Sequence, residues 1–244
     1  MRIAVANVNT TDSVTEAIRA QADEVAGAAT EIAALTPFFG SPSVEGNFDS
    51  YLSAVAVMDR LYRFERPFDG AVLAGFGEHG KEGLAELFDV PVVDITEAAA
   101  HAACLLGRKF GVVTSLPRTV GLIEDRLRLG GFEGRCAAVR ASGTAVLDLE
   151  ADRSFEKLVE QARALVEVDG AEVVCLGCAG MSGLAERVSE RAWGVPVVDG
   201  VPAAVVLVES LVRMGLRTSK VGSWAAPLPK ERSGWPVRSS RAHE

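Results

Sequence analysis

Short apolar runs alternate with amphipathic stretches along the whole chain. Runs at residues 2–6, 30–35, 71–74, 91–93, 109–113, 136–140, 172–176 and 195–198 are rich in Val, Ile, Leu and Ala and mostly do not alternate with polar residues. A strand that is apolar on both faces belongs in a parallel sheet covered on both sides. Between the runs, apolar residues recur at helical spacing. Val14, Ile18, Ala22 and Val25 mark a helix over residues 12–26, with Thr10, Thr11 and Asp12 placed to cap it. Phe155, Leu158, Val159, Ala162, Leu165 and Val166 mark another over 155–168, ended by Gly170. A βαβα order of this kind predicts an α/β fold built on parallel sheets.

The pattern occurs twice. Residues 69–99 contain D-G-A-V-L-A-G-F-G-E-H-G-K-E-G-L-A-E and then V-P-V-V-D. Residues 169–204 contain D-G-A-E-V-V-C-L-G-C-A-G-M-S-G-L-A-E and then V-P-V-V-D. Each half opens on a similar strand and polar turn, at Arg2 and at Lys109. The duplication predicts two pseudo-symmetric lobes, residues 1–106 and 107–206, with 207–244 returning to the first lobe. The Ser-, Pro- and Arg-rich stretch from Arg217 reads as a surface wrap followed by a frayed end. Ligands of open α/β sheets bind beyond the carboxyl ends of the strands. Four turns there, starting at Asn7, Gly75, Thr114 and Gly177, are expected to line one cleft between the lobes.

Bulk composition narrows the chemistry. The 244 residues are 48% hydrophobic and carry a formal charge of −8, which argues against nucleic acid or an anionic membrane as partner. No run is long enough for a membrane span, and the first residues read as a strand rather than a signal peptide. Four cysteines, Cys104, Cys136, Cys175 and Cys178, suggest reduced thiols in a cytoplasm. The expected partner is a small-molecule substrate, and the expected assembly a homo-oligomer.

Aligned on their turns, Gly77 of the first copy faces Gly180 of the second, and Gly75 faces Cys178. A thiol therefore stands at the mouth of one copy only. Cys178 lies between small residues where backbone amides can approach a ligand, and the positive end of the following helix should lower its pKa. A free cysteine is more often a small buried hydrophobe, but the duplicated turn favours function. Cys175 completes a C-x-x-C with Cys178, yet no second pair and no spaced histidine accompanies it, so a metal site is not expected. Gly75, Gly77 and Gly80 only superficially match a dinucleotide loop, and no cofactor is expected. Asn9, Thr10, Phe76, Gly77, Thr114, Ser115, Ala179 and Gly180 are the candidate substrate-binding residues. Glu78 and His79 could replace the missing thiol through a water, although a lone histidine is more often structural.

Several segments resemble one family. N-V-N-T-T from Asn7, S-V-E-G-N-F-D from Ser43, S-L-P-R-T from Ser115, L-G-C-A-G-M from Leu176, V-P-V-V-D-G from Val195 and T-S-K from Thr218 are similar to the Asp/Glu/hydantoin racemase superfamily, nearest its hydantoin and allantoin racemases. The resemblance implies two α/β lobes around a cofactor-free site, where one cysteine from each lobe exchanges a proton with opposite faces of a carbon. It makes Cys178 the second-lobe acid/base and places Gly75 where the first-lobe cysteine would be. Arylmalonate decarboxylases of the superfamily also keep only the second-lobe thiol. The sequence thus leaves three readings: proton transfer alpha to a carbonyl of a cyclic ureide, decarboxylation with one-sided protonation, or a ligand-binding variant. If the position at Gly75 is simply empty, Gly75→Cys restores a two-thiol site.

Overall fold

The computed structural model describes residues 1–145 and 152–233. The frayed end expected beyond residue 233, with His243, lies outside the described residues. The first half runs β1 (Arg2–Asn7), α1 (Asp12–Val25), β2 (Glu31–Leu35), α2 (Asn47–Tyr62), β3 (Gly70–Ala74), α3 (Lys81–Leu87), β4 (Val92–Asp94) and α4 (Ile95–Leu106). The second runs β5 (Phe110–Thr114), α5 (Val120–Leu129), β6 (Cys136–Ala141), α6 (Asp152–Glu167), β7 (Val173–Leu176), α7 (Ala185–Arg191), β8 (Val197–Asp199) and α8 (Gly200–Arg213). Every apolar run of the sequence forms a strand.

The strands make two parallel four-stranded sheets, ordered β2-β1-β3-β4 and β6-β5-β7-β8. The second order is the first repeated, as the duplicated sequence requires. Strands β1, β3, β5 and β7 are buried almost throughout, because helices cover both faces of each sheet. In each sheet the order reverses beside the first strand, at β1/β3 and β5/β7. This switch point is where a crevice opens beyond the strand ends.

The last helix of each half packs across the division. Val201, Ala204, Val205 and Val208 of α8 join Ile3, Val5, Ile18 and Val72 in the first lobe's core. Ala99, Ala100 and Ala103 of α4 join Phe110, Val112, Val173 and Cys175 of the second. The small alanines of α4 let it pack closely against the second sheet.

One local expectation is corrected. Thr11 occupies the cap position of α1, but its hydroxyl donates to the Pro42 carbonyl and makes no cap hydrogen bond. The Thr10 amide likewise donates to Ser41, so this turn is spent on anchoring the 41–42 loop. After α8 the chain wraps the first lobe as far as it is described. Thr218 bonds Asp89 and Val90, and the Lys220 ammonium donates to the Phe88 carbonyl at 2.8 Å and to others at the end of α3, where a cation complements the helix dipole. Among the described residues no helix is long and apolar enough to cross a membrane.

Candidate active site

A pocket opens at the carboxyl ends of β1, β3, β5 and β7. Of the residues singled out in the sequence, Asn9, Gly75, Phe76, His79, Thr114, Ser115, Cys178, Ala179 and Gly180 line it. Thr10 and Gly77 are not in its lining. The Gly77 amide donates to Thr96 Oγ1 at 2.8 Å and is thereby spent as a substrate donor. Asn7, Val8, Val14, Val44, Ala74, Thr119 and Gly177 complete the wall. Val44 comes from the loop before α2, inside the S-V-E-G-N-F-D segment that carried the family resemblance, although it was not among the candidate binding residues.

Cys178 follows β7 in an extended conformation and opens a single 3₁₀ turn, Ala179–Met181. The helix α7 starts only at Ala185 and is seven residues long, so the expected dipole at the thiol is not delivered. The expectation of a lowered pKa is reversed: burial pushes the thiol up to about 11, with the carboxylates of Glu45 and Asp199 adding to it and a hydrogen bond from the Gly180 amide opposing. Cys178 is thus a protonated thiol at neutral pH. Cys175 is wholly buried in β7 with its sulfur toward the Ala99 carbonyl, at 3.7 Å, so the C-x-x-C divides between core and pocket.

The polar side chains of the pocket are held in fixed orientations. Asn7 is completely buried and spends its amide on Asn9 Oδ1, the Thr11 carbonyl and Thr15 Oγ1. Asn9 Oδ1 accepts from both Asn7 Nδ2 and the Thr11 amide, each at 2.9 Å. That pins the Asn9 amide and leaves its Nδ2 hydrogens for a ligand. Thr114 Oγ1 lies 3.0 Å from Thr119 Oγ1 and 3.3 Å from the Gly177 carbonyl, so it ties the second-lobe turn together rather than offering a free donor. Among the described residues, no lysine or arginine side chain lines the pocket.

Opposite Cys178, the position at Gly75 is not empty. A Cβ built on Gly75 would stand 2.4 Å from His79 Cδ2 and 2.5 and 2.8 Å from the two methyls of Val8. The imidazole fills the volume that a side chain at 75 would need. His79 is 5% exposed and its Nδ1 lies 3.2 Å from Ser50 Oγ, whose hydroxyl donates to the Glu78 carbonyl. Burial lowers its pKa to about 4, against the Phe76 carbonyl, which favours the protonated ring, and with help from the Arg126 charge. Glu78, by contrast, is outside the lining. Its carboxylate accepts from the Gly80 amide and pairs with Arg126.

Arg126 was absent from the sequence-level candidates. Its side chain, on α5 of the second lobe, is 1% exposed and reaches four carboxylates around the first-lobe turn. Asp94 accepts at 2.5 Å, Glu82 and Glu97 at 2.7 Å, and Glu78 at 3.0 Å. Lys81 adds a second cation, 3.1 Å from Glu97. This clasp fixes the loop that carries Gly75, Phe76 and His79 against the opposite lobe.

Comparison with known proteins places this architecture. Residues 3–208 match the Asp/Glu/hydantoin racemase family. The chain belongs to that family. A hydantoin racemase of Paenarthrobacter aurescens is 37% identical over 95% of this chain and 99% of its own. Among solved structures, allantoin racemase from Pseudomonas fluorescens superposes with a TM-score of 0.94 at 60% identity, covering 96% of this chain and 100% of that one. Allantoin racemase from Klebsiella pneumoniae gives 0.91 at 43% identity, covering 96% of each. This family member is accordingly an enzyme of the racemase type, an isomerase, with the two-lobed family fold.

Proposed function

We propose that this racemase-family enzyme moves a proton at C5 of a hydantoin-type cyclic ureide, allantoin first among them, with Cys178 as acid/base on the second-lobe face. The observation that carries the reading is the placement of Cys178. A protonated thiol stands in the pocket at a switch point, on a turn whose duplicate forms the facing wall. C5 of such a ring lies beside a carbonyl. Loss of its proton puts charge on the carbonyl oxygen, which needs donors already in position. The pinned Nδ2 of Asn9 suits that task, because its orientation does not have to be found during the reaction.

The lining also favours a neutral ureide over a malonate-type diacid. Carboxylate recognition is strongest with arginine or lysine, and among the described residues neither lines the pocket. The 60% identity with an allantoin racemase supports the same choice.

The test is proton exchange at C5 in deuterated water, followed by NMR alongside optical rotation, for each enantiomer of allantoin and of a 5-substituted hydantoin. The parent enzyme is expected to exchange and racemise at least one of them. Cys178→Ala should slow exchange by about 10²–10⁴-fold, the usual share of a positioned acid/base group. Exchange untouched by Cys178→Ala would remove Cys178 from the mechanism. Carbon dioxide release from an arylmalonate, with no ureide exchange, would move the assignment to decarboxylation.

A further inference from the structure

Inverting a carbon requires a proton to leave one face and another to arrive on the opposite face. Cys178 accounts for one face only. We infer that His79 is the acid/base group of the other face, occupying through its imidazole the space that the missing side chain at position 75 vacates. The inference rests on the proposed ureide chemistry and completes it.

Three observations support it. First, Gly75 and His79 are a coupled pair: with any Cβ at 75, His79 Cδ2 would be 2.4 Å away. The glycine is what admits the ring to the wall facing Cys178. Second, His79 and Cys178 line the same pocket from the two duplicated turns. Third, the ring is held for proton transfer. Ser50 has one hydroxyl proton and gives it to the Glu78 carbonyl, so its oxygen presents a lone pair to His79 Nδ1 at 3.2 Å. Nδ1 then carries the ring proton and Nε2 is the nitrogen assigned to exchange with substrate, with the Phe76 carbonyl, which favours the protonated ring, holding the imidazolium once it forms. The route through Glu78 and a water, considered from sequence, is unnecessary because Glu78 is engaged by Arg126 and the Gly80 amide.

The step balances within the protein. His79 Nε2 takes the C5 proton, and the electron pair of that C–H bond enters the adjacent carbonyl as an enolate. Cys178 Sγ–H delivers its proton to C5 from the other side and retains the electron pair as thiolate. The opposite enantiomer runs the same events in reverse, returning neutral imidazole and thiol. The charged groups near the pair are Arg126 and Glu78 on the His79 side, and Glu45 and Asp199 on the Cys178 side.

The experiment measures C5 exchange of the two enantiomers of allantoin separately, in the full-length enzyme. His79→Gln should slow exchange of one enantiomer about 10²–10⁴-fold while the other still exchanges without inverting. Cys178→Ala should show the mirror pattern. A merely structural histidine would slow both enantiomers together, and that result, or no loss at all, overturns the inference while leaving Cys178 in place. Loss of neither exchange in Cys178→Ala is the different failure, that of the proposed function itself. In His79→Ala, added imidazole should restore exchange of the affected enantiomer alone; equal or absent restoration counts against the assignment. The unmodified enzyme gives a readout independent of mutant folding. Both directions use enzyme that holds one proton between imidazole and thiol, so turnover of either enantiomer should fall as pH drops toward about 4 and again as it rises toward about 11, whereas turnover that persists unchanged well below pH 4 refutes the histidine.

Discussion

Asp94 and Asp199 end the equivalent strands β4 and β8, and each caps the helix that follows. Asp94 accepts from the Glu97 amide and Asp199 from the Val201 amide. Beyond the cap they diverge. Asp94 is 1% exposed and holds the Arg126 guanidinium, at the centre of an ionic cluster. Asp199 accepts only neutral donors, Ser182 Oγ and the Gly183 amide besides its cap, and its pKa is raised by burial. The turn braced by charge carries the glycine and the histidine. The turn held by neutral hydrogen bonds carries the thiol. One scaffold, repeated, therefore supports two unlike environments. A buried anionic cluster beside a thiol would push its pKa higher still, so the clasp sits on the side without one.

The largest effect should come from cutting the clasp. Arg126→Met leaves Asp94 buried without a cation and Glu97 with Lys81 alone, and removal of one partner from a buried ionic network costs roughly 3–5 kcal/mol. Urea denaturation should show a loss of that order. A loss below 1 kcal/mol would mean that the first-lobe turn holds itself. Lys81 does not substitute, because it reaches Glu97 but not Asp94.

Acid should weaken the His79 side next. A folded pKa of about 4 against 6.5 for a free histidine means that the unfolded chain binds a proton that the folded one refuses. Stability is then complete above pH 6.5 and declines as pH falls from 6.5 toward 4. At about 1.36 kcal/mol per unit, the decline reaches about 3 kcal/mol. His79→Gln should flatten it, leaving only the background of the carboxylates. If parent and variant lose stability in parallel across this range, His79 is not the group responsible.

Much of this was legible in the residues. Strands covered on both faces must be apolar without interruption, so β1, β3, β5 and β7 were visible at once, and the duplicated V-P-V-V-D fixed the two-lobed order. The thiol turn stood out because its copy lacked a thiol. The clasp left no local trace. Arg126 is 29 to 48 residues from its four partners, in a helix whose R-L-R-L sequence reads as an ordinary surface. The histidine's role was hidden for a related reason. Nothing local says that a ring four residues downstream folds back over Gly75, although its alignment with the small Ser182 of the second copy was a signal. Gly77 was misread because a free-looking amide on a small-residue turn had a partner, Thr96, on another element.

A smaller effect tests the shared volume directly. Gly75→Ala forces a methyl against His79 and Val8, and overpacking of this kind costs roughly 1–3 kcal/mol. In a His79→Ala background the ring is gone and only Val8 remains in the way, so the same substitution should cost less. The double-mutant cycle should give a coupling of roughly 0.5 kcal/mol or more between the two positions. Additive losses would mean that the ring and the position at 75 do not compete. The same contacts explain why Gly75→Cys alone should not yield a working second thiol: the sulfur would have to displace His79, and Val8, short and β-branched, has little room to yield.

The smallest expected effect concerns the aspartate beside the thiol. Asp199 contributes to the raised pKa of Cys178, after burial and Glu45. Asp199→Asn removes that charge and keeps one oxygen for Ser182 and the Val201 amide, and asparagine caps helices about as well as aspartate, but it gives up the oxygen that accepts from the Gly183 amide, so stability should fall modestly. The alkylation rate assigned to Cys178, taken as the difference between the parent and Cys178→Ala, should then reach half its maximum at a lower pH than about 11. Asp94→Asn should leave that midpoint where it is, since Asp94 is not among the charges acting on the thiol. A midpoint unmoved by Asp199→Asn would mean that burial and Glu45, without Asp199, set the thiol's acidity. The two aspartates would then differ in their partners but not in their influence on proton transfer, and the electrostatic contrast between the lobes would rest on the Arg126 cluster alone.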